Sequence, residues 1–229
     1  MKETLARMCS DLTTEQLEQF QIYFEMLVDW NTRMNLTGIT KPEEVAKKHF
    51  ADSLAALPLI GNNASVIDVG TGAGFPGIPL LIANPSLKMT LLDGLNKRIL
   101  FLEAVLDKLG LTAACIHMRA EDAGRSPRYR ERFDVATTRA VASLPVLTEL
   151  TVPLLKVGGK SIAYKGFAAE ELIASKGALH LLHAAAERIE IPADYGERTL
   201  VVITKKEPTP KAYPRKAGTP EKNPLGENG

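Results

Sequence analysis

Apolar positions follow two different periods along this chain, and the change falls near residue 60. Before it, Leu17, Phe20, Phe24, Leu27 and Val28 recur at helical spacing behind Thr13 and Gln16, which have the spacing of a capping box. A turn is predicted at Asn35–Gly38, then a second helix capped by Thr40 and Glu43 and running to about Leu57, where Pro58 and Gly61 stop it. Beyond that point, short β-branched and aliphatic runs predict strands at 65–70, 88–93, 113–118, 133–138, 160–165, 187–191 and 199–204. Helices are predicted between them, most clearly at 96–109. There Asn96 stands at the cap position, and Ile99, Leu102, Val105, Leu106 and Leu109 make one apolar face. Alternation of strand and helix implies a mainly parallel sheet with right-handed crossovers. The last two strands lie too close for a helical crossover and are expected to pair as an antiparallel hairpin. The chain thereby divides into a helical extension over 1–60, an α/β domain over 61–206 and a tail over 207–229.

One segment carries chemistry. Residues 66–77 read V-I-D-V-G-T-G-A-G-F-P-G, a buried-strand run followed by a turn of closely spaced glycines. Without Cβ atoms such a turn takes positive φ and lets the backbone approach a ligand. A strand, a glycine turn and a helix form the nucleotide site at the carboxyl ends of α/β sheets. Gly72, Gly74 and Gly77 match G-x-G-x-x-G, the dinucleotide pattern, which is weak alone. Gly70, Gly72 and Gly74 match G-x-G-x-G, with an acid, Asp68, two positions earlier on the strand. In this register the segment resembles the first motif of class I S-adenosylmethionine-dependent methyltransferases, in which such an acid lies near the methionine end of the cofactor. The loop has no basic residue, as suits a cofactor without phosphate. The terminal hairpin also resembles the Rossmann-like, seven-stranded mixed sheet of that class, not the six-parallel-strand dinucleotide fold.

Composition narrows the partners. A hydrophobic fraction of 45% excludes a wholly disordered chain. Lys plus Arg is 28 against Asp plus Glu 27, so nucleic-acid binding would have to rely on local basic patches. Cys9 and Cys115, far apart and without metal spacing, fit a reduced cytoplasmic protein. Neither a signal peptide nor a membrane span is expected. The tail carries Pro208, Pro210, Pro214, Pro220 and Pro224, which predict neither helix nor central strand. With Lys205, Lys206, Lys211, Arg215, Lys216 and Lys222 it reads either as a solvated terminus or as a phosphate-contacting arm. Arg125, Arg128, Arg130 and Arg132 around Tyr129 have the same two readings. His180 and His183, with Glu187 one turn on, are expected to mark a helix face and not a metal corner.

Strand ends supply the remaining candidates. Asp93 closes the second strand, where an acid accepts from ribose hydroxyls or caps the next helix. Ala120 and Glu121 follow the third strand, where methyltransferases hold the adenine edge. Arg139 closes the fourth, with Glu121 or a cofactor carboxylate as its expected partner. No N-P-P-Y-like string follows the fourth strand, against amino-group methylation. Neither cysteine is placed for the thiolate attack that C5-pyrimidine methylation needs.

Further strings are W-N-T-R-M-N-L-T-G-I at 30–39, K-H-F-A-D-S-L at 48–54, L-L-D-G-L-N-K-R at 91–98, Y-K-G at 164–166 and Y-P-R-K-A-G-T-P-E-K-N-P-L at 213–225. Together with 69–80 they resemble the bacterial small-subunit ribosomal RNA methyltransferase G family, also called glucose-inhibited division protein B. The resemblance runs from about residue 15 to 225. It implies methylation of N7 of one guanine in 16S rRNA, on naked RNA or the assembling small subunit; a monomer is expected, with dimerisation left open by the sequence. It implies cofactor contacts at Gly70, Phe75, Ala120, Glu121 and Arg139, to which the strand-end position adds Asp93. Phe75 packs either on the cofactor or between helix and sheet. Asn35, Arg139 and Lys165 are the candidates to orient the guanine or its phosphates, Asn35 and Lys165 reading otherwise as a turn residue and a solvated lysine. His49 and Asp52 are expected to fix the extension to the sheet. The near-neutral charge favours, as the alternative, a methyltransferase acting on a small molecule. A dinucleotide-dependent oxidoreductase ranks third.

Overall fold

The computed structural model describes residues 1–226. Strands β1 (Ser65–Val69), β2 (Lys88–Asp93), β3 (Ala114–His117), β4 (Phe133–Arg139), β5 (Leu155–Lys165), β6 (Ala184–Ile191) and β7 (Arg198–Lys205) form one seven-stranded sheet in the order β3-β2-β1-β4-β5-β7-β6. β1 to β5 run parallel. β7 is inserted antiparallel between β5 and β6, as the short connection requires. β5 starts at Leu155, earlier than predicted, because a register shift against β4 absorbs its polar, glycine-containing first half. β6 likewise starts at Ala184. The strand order reverses between β1 and β4, and that switch point opens a crevice at their carboxyl ends.

Strand alternation sorts the core into two faces. Val66, Leu91, Val135, Ile162 and Leu200 point to one side. Against them pack α1 (Lys2–Met8), α2 (Thr14–Met34), α3 (Pro42–Val45), a wide π-helical turn at Ala46–Ala51, α4 (Asp52–Leu54), α5 (Gly77–Ala83) and α6 (Asn96–Leu109). Ile67, Leu92, Ala136, Ala163 and Val201 point to the other side, towards α7 (Ala120–Arg125), α8 (Leu144–Thr151), α9 (Ala169–Ala174) and α10 (Lys176–Leu181). Phe20, Tyr23, Leu27 and Phe50 are buried in the same cluster as the sheet residues, so the helical extension shares the sheet's core. The capping box forms between Thr13 and Gln16. Gln16 Nε2 also donates to Ile82 O and Ala83 O at 3.0 and 3.1 Å, satisfying carbonyls at the end of α5. Asn96 is not the cap of α6. Leu95 holds that position, and the Asp93 carboxylate two residues earlier accepts from its N–H at 2.9 Å.

The tail departs from expectation. Thr219–Lys222 forms one helical turn, α11, with Pro220 in its first turn, where a missing N–H costs nothing. Several of the basic residues counted towards an RNA patch face inward. Arg130 donates to Thr209 O, Pro210 O and Tyr213 O. Lys205 is fully buried, 2.6 Å from Glu131 Oε1. Arg215 Nη2 and Nε grip Glu149, whose side chain has no exposure, at 2.6 to 3.1 Å. The His180–His183–Glu187 helix face does not exist, because α10 stops at Leu181, His183 has φ 52° and Glu187 lies in β6. Among the described residues no group of His, Cys, Asp or Glu is arranged to hold a metal ion, and no helix is long and apolar enough to cross a membrane.

Arg215→Ala leaves the buried Glu149 carboxylate without its cation and with only the backbone N–H of residue 215 as donor, and such losses cost about 3–5 kcal/mol. Urea unfolding should register a destabilisation of that order. A change below about 1 kcal/mol would place Glu149 in contact with solvent or another cation.

Candidate active site

Asp68 is the first fixed point. Its carboxylate is wholly enclosed and accepts from Thr71 Oγ1 at 2.6 Å, Gly77 N at 2.9 Å and Thr137 Oγ1 at 3.0 Å. Burial pushes its pKa up to about 6, against which the three donors act. It staples β1 to the glycine loop, the start of α5 and β4, and it lines neither cleft described below. The sequence had suggested that this acid lies near the methionine end of a cofactor. Gly77 must be glycine for the staple to close, since a Cβ there would meet Leu91 Cδ2 at 2.4 Å and Asp68 Oδ2 at 2.9 Å.

Two clefts open at the carboxyl end of the sheet. The smaller, about 200 Å³, is floored by Val69, Gly70 and Leu92, with Asp93, Ala120 and Glu121 along one side. Gly70, at φ 68°, has Val141 packed where a side chain would stand, 2.7 Å from an imagined Cβ. Asp93 ties the start of α6 to the glycine loop. Its Oδ1 accepts from Leu95 N just before α6, its Oδ2 accepts from Gly72 N, both at 2.9 Å, and it lines the cleft. Glu121 is 4% exposed and accepts from Gly218 N at 2.8 Å.

The larger cleft, about 400 Å³, is lined by His49, Asp52, Arg139, Tyr164, Lys165 and Arg198 among others. Its centre is Asp52. Arg139 Nη1 donates to Asp52 Oδ2 at 3.1 Å, and Arg198 Nε stands 2.9 Å from Oδ1. The carboxylate partner of Arg139 is thus on the helical extension and not Glu121. Arg139 also donates to Lys48 O at 3.0 Å and lies over the Phe75 ring at 4.9 Å. Phe75 itself is buried, stacked on His49 at 4.6 Å, and does not line the smaller cleft. Lys165 Nζ donates to Ala142 O at 2.8 Å and Glu171 Oε2 at 2.7 Å, so it is not a freely solvated lysine. Asn35 ends α2 in the left-handed conformation at φ 47°, is exposed, and lines neither cleft. Cys9 and Cys115 also line neither, and burial pushes both thiols up to about 11.

The clefts meet at the turn after β4. Arg139 and Ala140 line the larger, Val141 and Ala142 the smaller, and Ala140 has φ 56°. Asp52 was legible as part of K-H-F-A-D-S-L. Val141 and Arg198 were not singled out, and Pro220 stood in the string at 213–225 without a cleft assigned to it, because each reaches a cleft only through tertiary packing.

With this geometry the molecule has the class I methyltransferase fold, and comparison with known proteins agrees. It resembles an S-adenosylmethionine-dependent O-methyltransferase of Thermotoga maritima at 17% identity and TM-score 0.53, covering 79% of this chain and 71% of that one. It resembles a ribosomal protein L11 methylase of Lactobacillus delbrueckii subsp. bulgaricus at 17% identity and TM-score 0.54, covering 70% and 79%. The family described as rRNA small subunit methyltransferase G matches residues 16–200. The ribosomal RNA small subunit methyltransferase G of Desulfitobacterium hafniense is 50% identical over 227 residues, 97% of this chain and 95% of that protein. That of Acetivibrio thermocellus is 48% identical over 220 residues, 94% and 91% of the two chains. The chain belongs to the rRNA small subunit methyltransferase G family.

His49 gives a pH test. Burial, and then the Arg139 charge, depress its pKa from 6.5 to about 4. The folded state therefore binds fewer protons than the unfolded chain in that window, and this contribution to stability is lost as pH falls from about 6.5 to 4. Asp68, raised to about 6, acts oppositely, favouring the fold below 3.8 and ceasing to do so as pH rises through about 6. His49→Gln removes only the first effect. The drop in urea midpoint between about pH 7 and pH 4 should therefore be smaller in the variant than in the parent. An equal drop would show the ring to be titrating normally.

Proposed function

We propose that this chain transfers a methyl group from S-adenosylmethionine to N7 of a single guanine of 16S ribosomal RNA. The observation that supports this reading is the meeting of the two clefts at the turn Arg139–Ala142, as a nucleoside site beside a base site would require. The smaller cleft suits the cofactor. Its glycine floor admits close approach, its acids Asp93 and Glu121 suit ribose hydroxyls and the adenine edge, and its loop has no basic residue for a phosphate. Gly70, Asp93, Ala120 and Glu121 would hold it, with Arg139 and Phe75 behind the shared turn. When bound, S-adenosylmethionine supplies a methyl carbon on a positively charged sulfur.

Guanine N7 presents a lone pair and no proton. No residue has to act as a base, and in the larger cleft none is free to. Asp52 is held by two arginines, and His49 is neutral with Nδ1 3.1 Å from Arg139 Nη2. The residues therefore act by orienting the base and excluding water, and orientation alone can supply about 7–11 kcal/mol. Lys165 and Arg139 are the cations placed to hold the base or its phosphates. Asn35, on the exposed end of α2, would act from outside the cleft. In this division of labour residues 1–60 complete the base site and 61–206 bind the cofactor, followed by the Pro- and Lys-rich tail. The protein acts as a cytoplasmic monomer on 16S rRNA or the assembling small subunit.

Incubation with S-adenosylmethionine and 16S rRNA or small subunits, followed by nucleoside mapping, should yield one N7-methylguanine. A methyl group on another atom, or none on any RNA, rejects the proposal. Within it, Lys165→Ala should cut methyl transfer by at least about tenfold, the equivalent of about 1.4 kcal/mol, while calorimetric affinity for S-adenosylhomocysteine changes by less than about threefold. Unchanged turnover removes Lys165 from the site. Gly70→Ala should do the reverse first, weakening S-adenosylhomocysteine by more than about tenfold, since its Cβ displaces Val141 and its φ is left-handed. Retained affinity would put the cofactor elsewhere.

A further inference from the structure

The proline-spaced tail has no part in the chemistry above, yet it is docked with more specific contacts than a terminus needs. Arg215 is latched to Glu149 of α8 through Nε and Nη2 and through its backbone N at 2.7 Å. The same guanidinium donates to Asn223 O at 2.7 Å, closing the base of a loop over residues 215–223. At the crown of that loop Gly218, at φ 79°, donates its N–H to Glu121 Oε1 on α7 at 2.8 Å. Pro214 packs on Gly124 of the same helix, where a Cβ would meet Pro214 Cγ at 2.8 Å. The loop thus spans α7 and α8, the two helices flanking the smaller cleft. Val146 and Leu150 of α8 line that cleft, and so do Pro220 and Glu221 of the tail.

Resting on the proposed cofactor reading, we propose that residues 217–222 are the outer wall of the nucleoside site, a strap that completes the cofactor cleft. The strap touches the nucleoside end of the ligand through Pro220 and Glu221. It also fixes Glu121, because its Gly218 N–H occupies one oxygen of that carboxylate and sets the orientation of the other. Two inward-facing cations, one before β4 and one in the tail, serve this docking. Arg130 holds the approach through the carbonyls of Thr209, Pro210 and Tyr213, and Arg215 holds the loop itself. Loss of the strap therefore acts on cofactor affinity before it acts on RNA affinity.

Hydrogen exchange of the intact chain, with and without saturating S-adenosylhomocysteine, tests this directly. Amides of residues 217–223 should slow by at least about tenfold on binding, because local opening of the strap is then linked to ligand loss. A chain ending after Lys216 keeps the Arg215–Glu149 latch, and it should bind S-adenosylhomocysteine at least about tenfold more weakly by calorimetry. Its affinity for an rRNA fragment should be unchanged. Equal cofactor affinity in the shortened chain, or unaltered strap exchange while the intact chain gives heat, overturns the strap. No heat from the intact, folded chain overturns the cofactor reading with it. Should the shortened chain fail to fold, the exchange result decides alone.

Discussion

A carboxylate with no exposure, Asp68, is the constraint on which the site depends. Removing a charge from water is costly, and it persists only where hydrogen bonds replace the lost hydration. Here Thr71, Gly77 and Thr137 bring those bonds from the glycine loop, the start of α5 and β4. The requirement to satisfy one acid therefore fixes the path of the loop at the switch point of the sheet. Tyr23 adds a second tie, donating from α2 to Ala73 O within that loop. The cleft floor at Gly70 follows from these two anchors, so cleft geometry and core geometry have the same origin.

Asp52 plays the corresponding part for the larger cleft. It draws Arg139 from β4, Arg198 from β7 and Tyr195 from the β6–β7 turn onto one side chain of the helical extension. Such a buried cluster adds little net stability compared with apolar packing. What it supplies is geometry. The turn after β4 is held from below by Phe75 and His49, and from the side by Lys165 through Ala142 O. The extension is consequently a wall of the site and not an attachment beside it.

The basic residues show where counting charges fails. Lys205, Arg130 and Arg215 contributed equally to the sequence tally of local positive charge, but all three are committed to carboxylates or carbonyls inside the protein. Lys206, Lys211, Lys216 and Lys222 are exposed. Direction, not number, decides whether a cation is offered to a phosphate, and direction comes from packing. The same holds for Glu121. A helix-start acid after β3 was a cofactor candidate by position, and one of its oxygens is now seen to be shared with the tail.

The sequence by itself determined the alternation of strands and helices, the closing hairpin, the glycine turn with its strand acid and the family, because period, turn chemistry and short-range spacing are local properties. It also marked Gly70, Asp93, Ala120, Glu121, Arg139 and Lys165 as residues at strand ends, and strand ends are where an α/β sheet opens. Tertiary structure alone decided which of these share a cleft. It paired Arg139 with Asp52, drew Phe75 into the core, left Asn35 outside both clefts and brought the tail to the edge of the smaller cleft. Those outcomes depend on long-range burial of charge and on two helices closing over one loop, and neither leaves a trace in the order of neighbouring residues.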